Sequence, residues 1–146
     1  LLKAEQKKGA HRQFGALCYR MMHGKPQILL ITSRTRRRWI IPKGWPMKRC
    51  SPADAAAIEA WEEAGARGKV QDVCVGVFGY TKYDEQGMPD KRCVVTVFPV
   101  KVTSLAKAYP ERKQRRRKWF SPKKAARKVA EPELRKVIRA FDPKSL

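Results

Sequence analysis

Pro42-Lys43-Gly44-Trp45-Pro46, then Ser51-Pro52-Ala53-Asp54, then Glu59-Ala60-Trp61-Glu62-Glu63-Ala64-Gly65-Ala66 form one segment whose reading decides the fold. Ser51 has the side chain of a helix N-cap, Pro52 suits the first helical position, and Asp54 suits the positive end of the helix dipole. Gly65 can take the left-handed conformation that ends a helix, so the segment predicts a helix from Ser51 through Ala64. Glu59, Glu62 and Glu63 stand at i, i+3 and i+4 and project from one face within an arc of roughly 100°. Trp61, Ala57 and Ala64 are expected on the opposite side, anchoring the helix to the core. Like charges at this spacing destabilise a helix unless a cation lies between them. Oxygen ligands suit a hard ion, so Mg²⁺ or Mn²⁺ fits Glu59, Glu62 and Glu63 better than zinc. The bland alternative, a solvated acidic face, sits poorly in a chain with 13 acidic residues against 34 basic ones.

Outward from this helix, strand-like runs appear at Phe14–Arg20, Gln27–Thr32 and Trp39–Ile41 on one side. On the other they appear at Val73–Tyr80, Cys93–Val102 and Lys118–Phe120. They are rich in Val, Ile, Phe and Tyr and bounded by Gly, Pro or charge. The polar stretch from Thr81 to Lys91 is expected to join two antiparallel strands. Ser121-Pro122 opens a short helix, and Pro132 opens another with Leu134, Val137, Ile138 and Phe141 on one face. Strands around a central helix, closed by terminal helices, predict an α+β domain with a mixed sheet between helix layers. A length of 146 residues gives one domain, 1–146, with its core at about 14–141 and a flexible N-terminal end.

The net charge of +21 attracts polyanions and raises their encounter rate. By itself it leaves nucleic acid, an acidic membrane surface and a small polyphosphate open. No apolar run reaches the roughly 18 residues of a membrane helix, so membrane insertion is not expected. Leu1 to Lys8 carries no apolar signal core. Cys18, Cys50, Cys74 and Cys93 are scattered without a CxxC pair or a histidine cluster, which reads as free thiols in a reducing cytoplasm. His11 and His23 stand in no context that marks a ligand or base.

The segment from Gly44 to Ala66 resembles the Nudix box, GX5EX7REUXEEXGU. Gly44 matches its first glycine, Glu59, Glu62 and Glu63 its helix glutamates, and Gly65 and Ala66 its closing pair. Two positions depart: Cys50 replaces the loop glutamate and Ile58 the arginine. Removing both partners of a buried ion pair can be nearly neutral, whereas removing one strands a charge. Beyond the box, Thr32-Ser33-Arg34, Arg38-Trp39-Ile40-Ile41-Pro42 and Arg117-Lys118-Trp119-Phe120 resemble the branch acting on diphosphoinositol polyphosphates and diadenosine polyphosphates. This resemblance implies a Nudix fold and phosphate contacts from Ser33, Arg34, Arg38 and Arg92, with Arg116 and Arg117 as the basic residues before the WF pair. Lys43 replaces a glycine of the branch's PGG motif and adds a charge beside Gly44. Lys118 stands where a carboxylate often precedes WF.

The expected activity is Mg²⁺-dependent cleavage of a phosphoanhydride bond in a compact polyanionic substrate, by attack of an activated water. Glu62 or Glu63 is the expected general base; Asp84, Glu85 and Asp90 in the polar loop are alternatives. Two further readings compete: a nucleoside triphosphate or nucleotide-sugar pyrophosphatase, and a catalytically weak domain that binds RNA through its basic surface. The absence of an RNP-like aromatic run disfavours nucleic acid as the partner. The chain is expected to be a monomer or a homodimer.

Overall fold

The structure, a computed structural model, describes residues 9–146. The expectation about Leu1 to Lys8 lies outside the described residues. The element order is β1 (His11–Met22), β2 (Lys25–Thr32), β3 (Trp39–Ile40), β4 (Lys43–Gly44), α1 (Pro52–Ala64) and β5 (Ala66–Val70). There follow β6 (Gly76–Tyr83), β7 (Pro89–Leu105), β8 (Arg117–Phe120), α2 (Pro122–Lys128) and α3 (Pro132–Ala140).

The strands form one mixed sheet ordered β3-β2-β1-β7-β5, with β4 on β1, β6 on β7 and β8 on β2. At its centre β1 runs parallel to β7, pairing His11 with Cys93 through Tyr19 with Lys101, while β5 and β6 pair antiparallel with β7. Alternation sends side chains to two cores. Leu17, Tyr19, Ile28, Leu30, Val95 and Val97 pack with Leu134, Val137, Ile138 and Phe141 from the α3 region. Phe14, Ala16, Cys18, Leu29, Ile31, Phe98 and Val100 pack with Ala53, Ala56, Ala60 and Ala64 of α1. The sheet thus lies between helix layers, as the sequence predicts.

Three details differ from expectation. The polar stretch after Tyr80 is mostly strand: β6 and β7 run on until only a tight turn remains. There the Asp84 carboxylate accepts from the Gln86 and Met88 amides, at 3.0 and 2.8 Å, and closes the turn. β5 has no apolar periodicity; its charged side chains suit an exposed edge strand. The face of α1 that meets the sheet carries Ala53, Ala56, Ala60 and Ala64, together with Glu59 and Glu63. Trp61 and Ala57 do not anchor the helix. Small alanines at i, i+3 and i+4 let α1 lie close to the sheet, whereas Trp61 stays half-buried under the Arg67 guanidinium, 4.7 Å from its ring.

Candidate active site

α1 is capped at both ends as its sequence dictates. Ser51 Oγ accepts from the Asp54 amide at 3.1 Å. Gly65, at φ 63°, donates its amide to the Trp61 carbonyl at 2.9 Å. β4, paired to β1 through Phe14–Gly44 and Gly15–Lys43, brings the glycine loop against the glutamate face of the helix. The Lys43 amide donates to Glu63 Oε1 at 3.3 Å. A Cβ at Gly44 would overlap the Glu59 carboxylate, which would have to move out of its present position.

Above these groups is a cleft of about 260 Å³ lined by Gly44, Glu59, Glu63, Lys43, Arg34, Lys82, Arg115, Trp45, Tyr80 and Gln13. A second chamber of about 230 Å³, lined by Ser33, Arg36, Arg38, Tyr83, Asp84 and Glu131 among others, shares Ile40, Lys43, Tyr80, Lys82 and Arg115 with it. Trp45, 37% exposed, stands at the cleft rather than in the core, with Lys82 and Lys91 ammonium groups 5.4 and 5.5 Å from its ring.

Two of the three helix glutamates meet. Glu59 and Glu63 are buried, 8% and 6% exposed, with their carboxyl groups next to one another. Burial pushes the Glu63 carboxyl up to about 8, outweighing the pull of Arg115 and Lys43 in the other direction. Glu59 is raised by burial and then by Glu62. Glu62 is half-buried and lines neither chamber; its carbonyl accepts from the Glu111 amide at 3.0 Å. Among the described residues no three Asp, Glu, His or Cys side chains already form a metal cage. The donor set nonetheless fits a hard divalent cation: two adjacent carboxylates have raised proton affinity because burial disfavours their charge, and a bound cation would offset that.

The sequence-derived phosphate contacts divide into two groups. Lys43, Gly44 and Arg34 line the glutamate cleft, and Ser33 and Arg38 line the adjoining chamber with Lys43. The Ser33 hydroxyl accepts from the Arg38 amide at 2.9 Å, which shapes the turn between them. Arg92, Arg116 and Arg117 line neither chamber. Arg92 is exposed on β7 opposite Thr81. Arg116 joins β8 to β2 through its amide, which donates to Thr32 Oγ1 at 2.9 Å. Arg117 Nη1 donates to the Ala64 carbonyl at 2.8 Å, and its guanidinium stacks 4.7 Å from the Tyr109 ring, fastening the end of α1. Of the alternative bases, Asp84 lines the adjoining chamber, while Glu85 and Asp90 are exposed and line neither.

Sequence reasoning missed Lys82, which lines both chambers, and Arg115. Its nearly buried guanidinium donates to Glu111 Oε1 at 2.9 Å and to the Thr32 carbonyl at 3.1 Å, and lies 3.8 Å from Glu63 Oε1. In the sequence it is one of ten Lys or Arg between 112 and 128, and nothing local distinguishes it.

Together, sheet and cleft define an α/β/α domain that gathers helix-borne carboxylates and surrounding cations in one cleft. The NUDIX domain family matches residues 10–141, and the chain belongs to that family. It is 28% identical over 120 residues to Nudix hydrolase 12, mitochondrial, of Arabidopsis thaliana, covering 80% of this chain and 59% of that protein. It is 32% identical over 114 residues to mouse diphosphoinositol polyphosphate phosphohydrolase 3-alpha, covering 77% of this chain and 65% of that protein. The chain therefore spans less than two thirds of the length of these curated relatives. The fold is shared with the crystal structure of C. elegans Ap4A hydrolase, at TM-score 0.65 and 20% identity, covering 94% of this chain and 99% of that one. A NUDIX hydrolase from Nitrosomonas europaea superposes at TM-score 0.68 and 18% identity, over 94% and 95% of the two chains.

Proposed function

We propose that this protein hydrolyses a phosphoanhydride bond in a compact polyanion of the diphosphoinositol polyphosphate or dinucleoside polyphosphate class, using Mg²⁺ or Mn²⁺. The observation that carries this reading is the convergence of the Glu59 and Glu63 carboxylates beneath Gly44, in a cleft lined with Lys43, Lys82, Arg34 and Arg115. The family membership and the 32% identity to a diphosphoinositol polyphosphate phosphohydrolase support it.

Glu59 and Glu63 would hold the cation, with Glu62 reaching it only by a change of rotamer. The bound cation supplies neutralisation of charge on the phosphate oxygens. Lys43, Lys82 and Arg34 bind the flanking phosphates, guanidinium forks being suited to phosphate oxygens. Arg115 holds Glu63 in place and keeps positive potential at the floor of the cleft. The water oxygen forms a new bond to phosphorus and the bridging P–O bond breaks, its electron pair leaving with the departing phosphate. The water's proton passes to a carboxylate; of the two glutamates considered as base, only Glu63 faces the cleft. Arg38 and Ser33 extend the phosphate-binding surface into the adjoining chamber. We place the activity in the cytoplasm, where free thiols stay reduced.

The test is product release from both substrate classes, with Mg²⁺ and with a chelator, for wild type, Glu59→Gln and Glu63→Gln. Turnover is expected only with the cation and to fall by about 100-fold or more in each variant, the scale at which one electrostatic contact to a transition state acts. Chelator-resistant turnover, or full turnover in both variants, overturns the reading.

A further inference from the structure

The Tyr80 phenol stands where the two chambers meet, and both its hydroxyl and its ring are engaged. The hydroxyl donates to Gln13 Oε1 at 2.6 Å, and the ring face holds the Lys43 ammonium 4.8 Å from its centroid. Burial pushes the hydroxyl pKa up, so the phenol keeps its proton and acts as the donor. The separation fits the same assignment: 2.6 Å suits O–H···O, whereas amide N–H···O contacts lie at about 2.7 Å and beyond. Gln13 therefore turns its oxygen to Tyr80 and its NH₂ group elsewhere.

That NH₂ group faces the glutamate cleft. Gln13, on β1 opposite Val95, is only 4% exposed, yet it lines the cleft together with Lys43. Among the described residues its side-chain nitrogen has no hydrogen-bond partner, and it is not sealed in the interior, where Glu131 Oε1 alone is left unmatched. An amide already held through its oxygen is an oriented donor, so little ordering entropy is lost when an acceptor arrives. β4 pairs Lys43 with Gly15, two residues from Gln13, so ammonium and amide hang from adjoining strands. A neutral N–H and an ammonium at one opening match an anionic oxygen.

We infer that Tyr80 is a positioning residue, fixing the Gln13 amide and the Lys43 ammonium as a paired donor site for one phosphoryl group that the protein holds directly rather than through the cation. This rests on the phosphoanhydride reading above and adds to it a subsite that is complete before a cation binds. Gln13 donates to the phosphate oxygen. Tyr80 acts only through the orientation of its two neighbours.

Calorimetric titration with tripolyphosphate, at fixed ionic strength and without divalent cation, reads this subsite without turnover. Wild type is expected to bind, and Gln13→Leu to bind about tenfold or more weakly, the range of a hydrogen bond to a charged group. Tyr80→Phe keeps the ring beside Lys43 and removes only the hydroxyl. It is expected to weaken binding about threefold or more in wild type but to add almost nothing to Gln13→Leu, because the hydroxyl acts through Gln13. Tyr80→Leu, which removes the ring as well, should lose more than Tyr80→Phe. If Gln13→Leu does not fold, Gln13→Glu takes its place; it turns a carboxylate oxygen to the cleft and should weaken binding further still. Losses from Tyr80→Phe and Gln13→Leu that multiply in the double variant, or folded Gln13 variants within about twofold of wild type, overturn the subsite. So does wild type that fails to bind tripolyphosphate without a cation. In each of these cases Mg²⁺-dependent turnover by wild type keeps the phosphoanhydride reading, and its absence removes that reading too.

Discussion

Glu63 is where the electrostatics of the site are concentrated. Its carboxyl is held up to about 8 by burial, so the folded protein without a cation prefers it protonated. A raised pKa in the folded state contributes stability below the unfolded value near 4.5, and that contribution is lost as pH rises through about 8. In chelator, the melting temperature of wild type relative to Glu63→Gln should therefore fall between pH 5 and pH 9. Added Mg²⁺ should reduce that fall, because a cation replaces the proton. A pH-independent difference between the two proteins would show that burial does not perturb this group. Gly44 lies against the neighbouring carboxylate: its sequence position marks a loop, and the structure shows that a side chain there would displace Glu59.

The elements place these residues. α1 ends on Gly65, and Arg117 from β8 fastens that end through the Ala64 carbonyl and the Tyr109 ring. The family resemblance assigns Arg117 to substrate phosphate; its hydrogen bond and stacking assign it to the helix. Arg117→Ala should lower stability by about 1–3 kcal/mol, the range for loss of a charged hydrogen bond. Its KM for a polyphosphate should stay within about threefold of wild type. A large rise in KM without a change in melting temperature would restore the substrate role. Arg115, two residues earlier, does face the cleft. Two residues apart, both side chains point to the α1 side, Arg115 at Glu63 and Arg117 at the carbonyl that ends the helix.

Across the whole molecule, the excess of cations bears on how the proposed polyanionic substrate would arrive. With +21 spread over a small domain, encounter with a polyanion is electrostatically steered and should weaken steeply with salt. Raising ionic strength from about 50 to 200 mM, across which the Debye length shortens, should lower kcat/KM several-fold and leave kcat nearly unchanged. A kcat/KM insensitive to salt would mean that the surface charge has no part in capture.

The sequence by itself determined the helix of Ser51–Ala64 with its caps, most of the strands, the layered α+β architecture and the spacing of the three glutamates. Each of these follows from local preferences and from apolar periodicity, which lie along the chain. Tertiary structure alone decided that alanines rather than Trp61 seat α1, that Glu59 and Glu63 enter the cleft while Glu62 does not, and that Arg115 reaches the carboxylates. It also decided that Glu131, distant in sequence, closes the adjoining chamber. These outcomes depend on which residues from separate elements come within a few ångströms of one another. Spacing along one helix can state which side chains share a face, but the packing of that helix against the sheet decides which of them meets a partner.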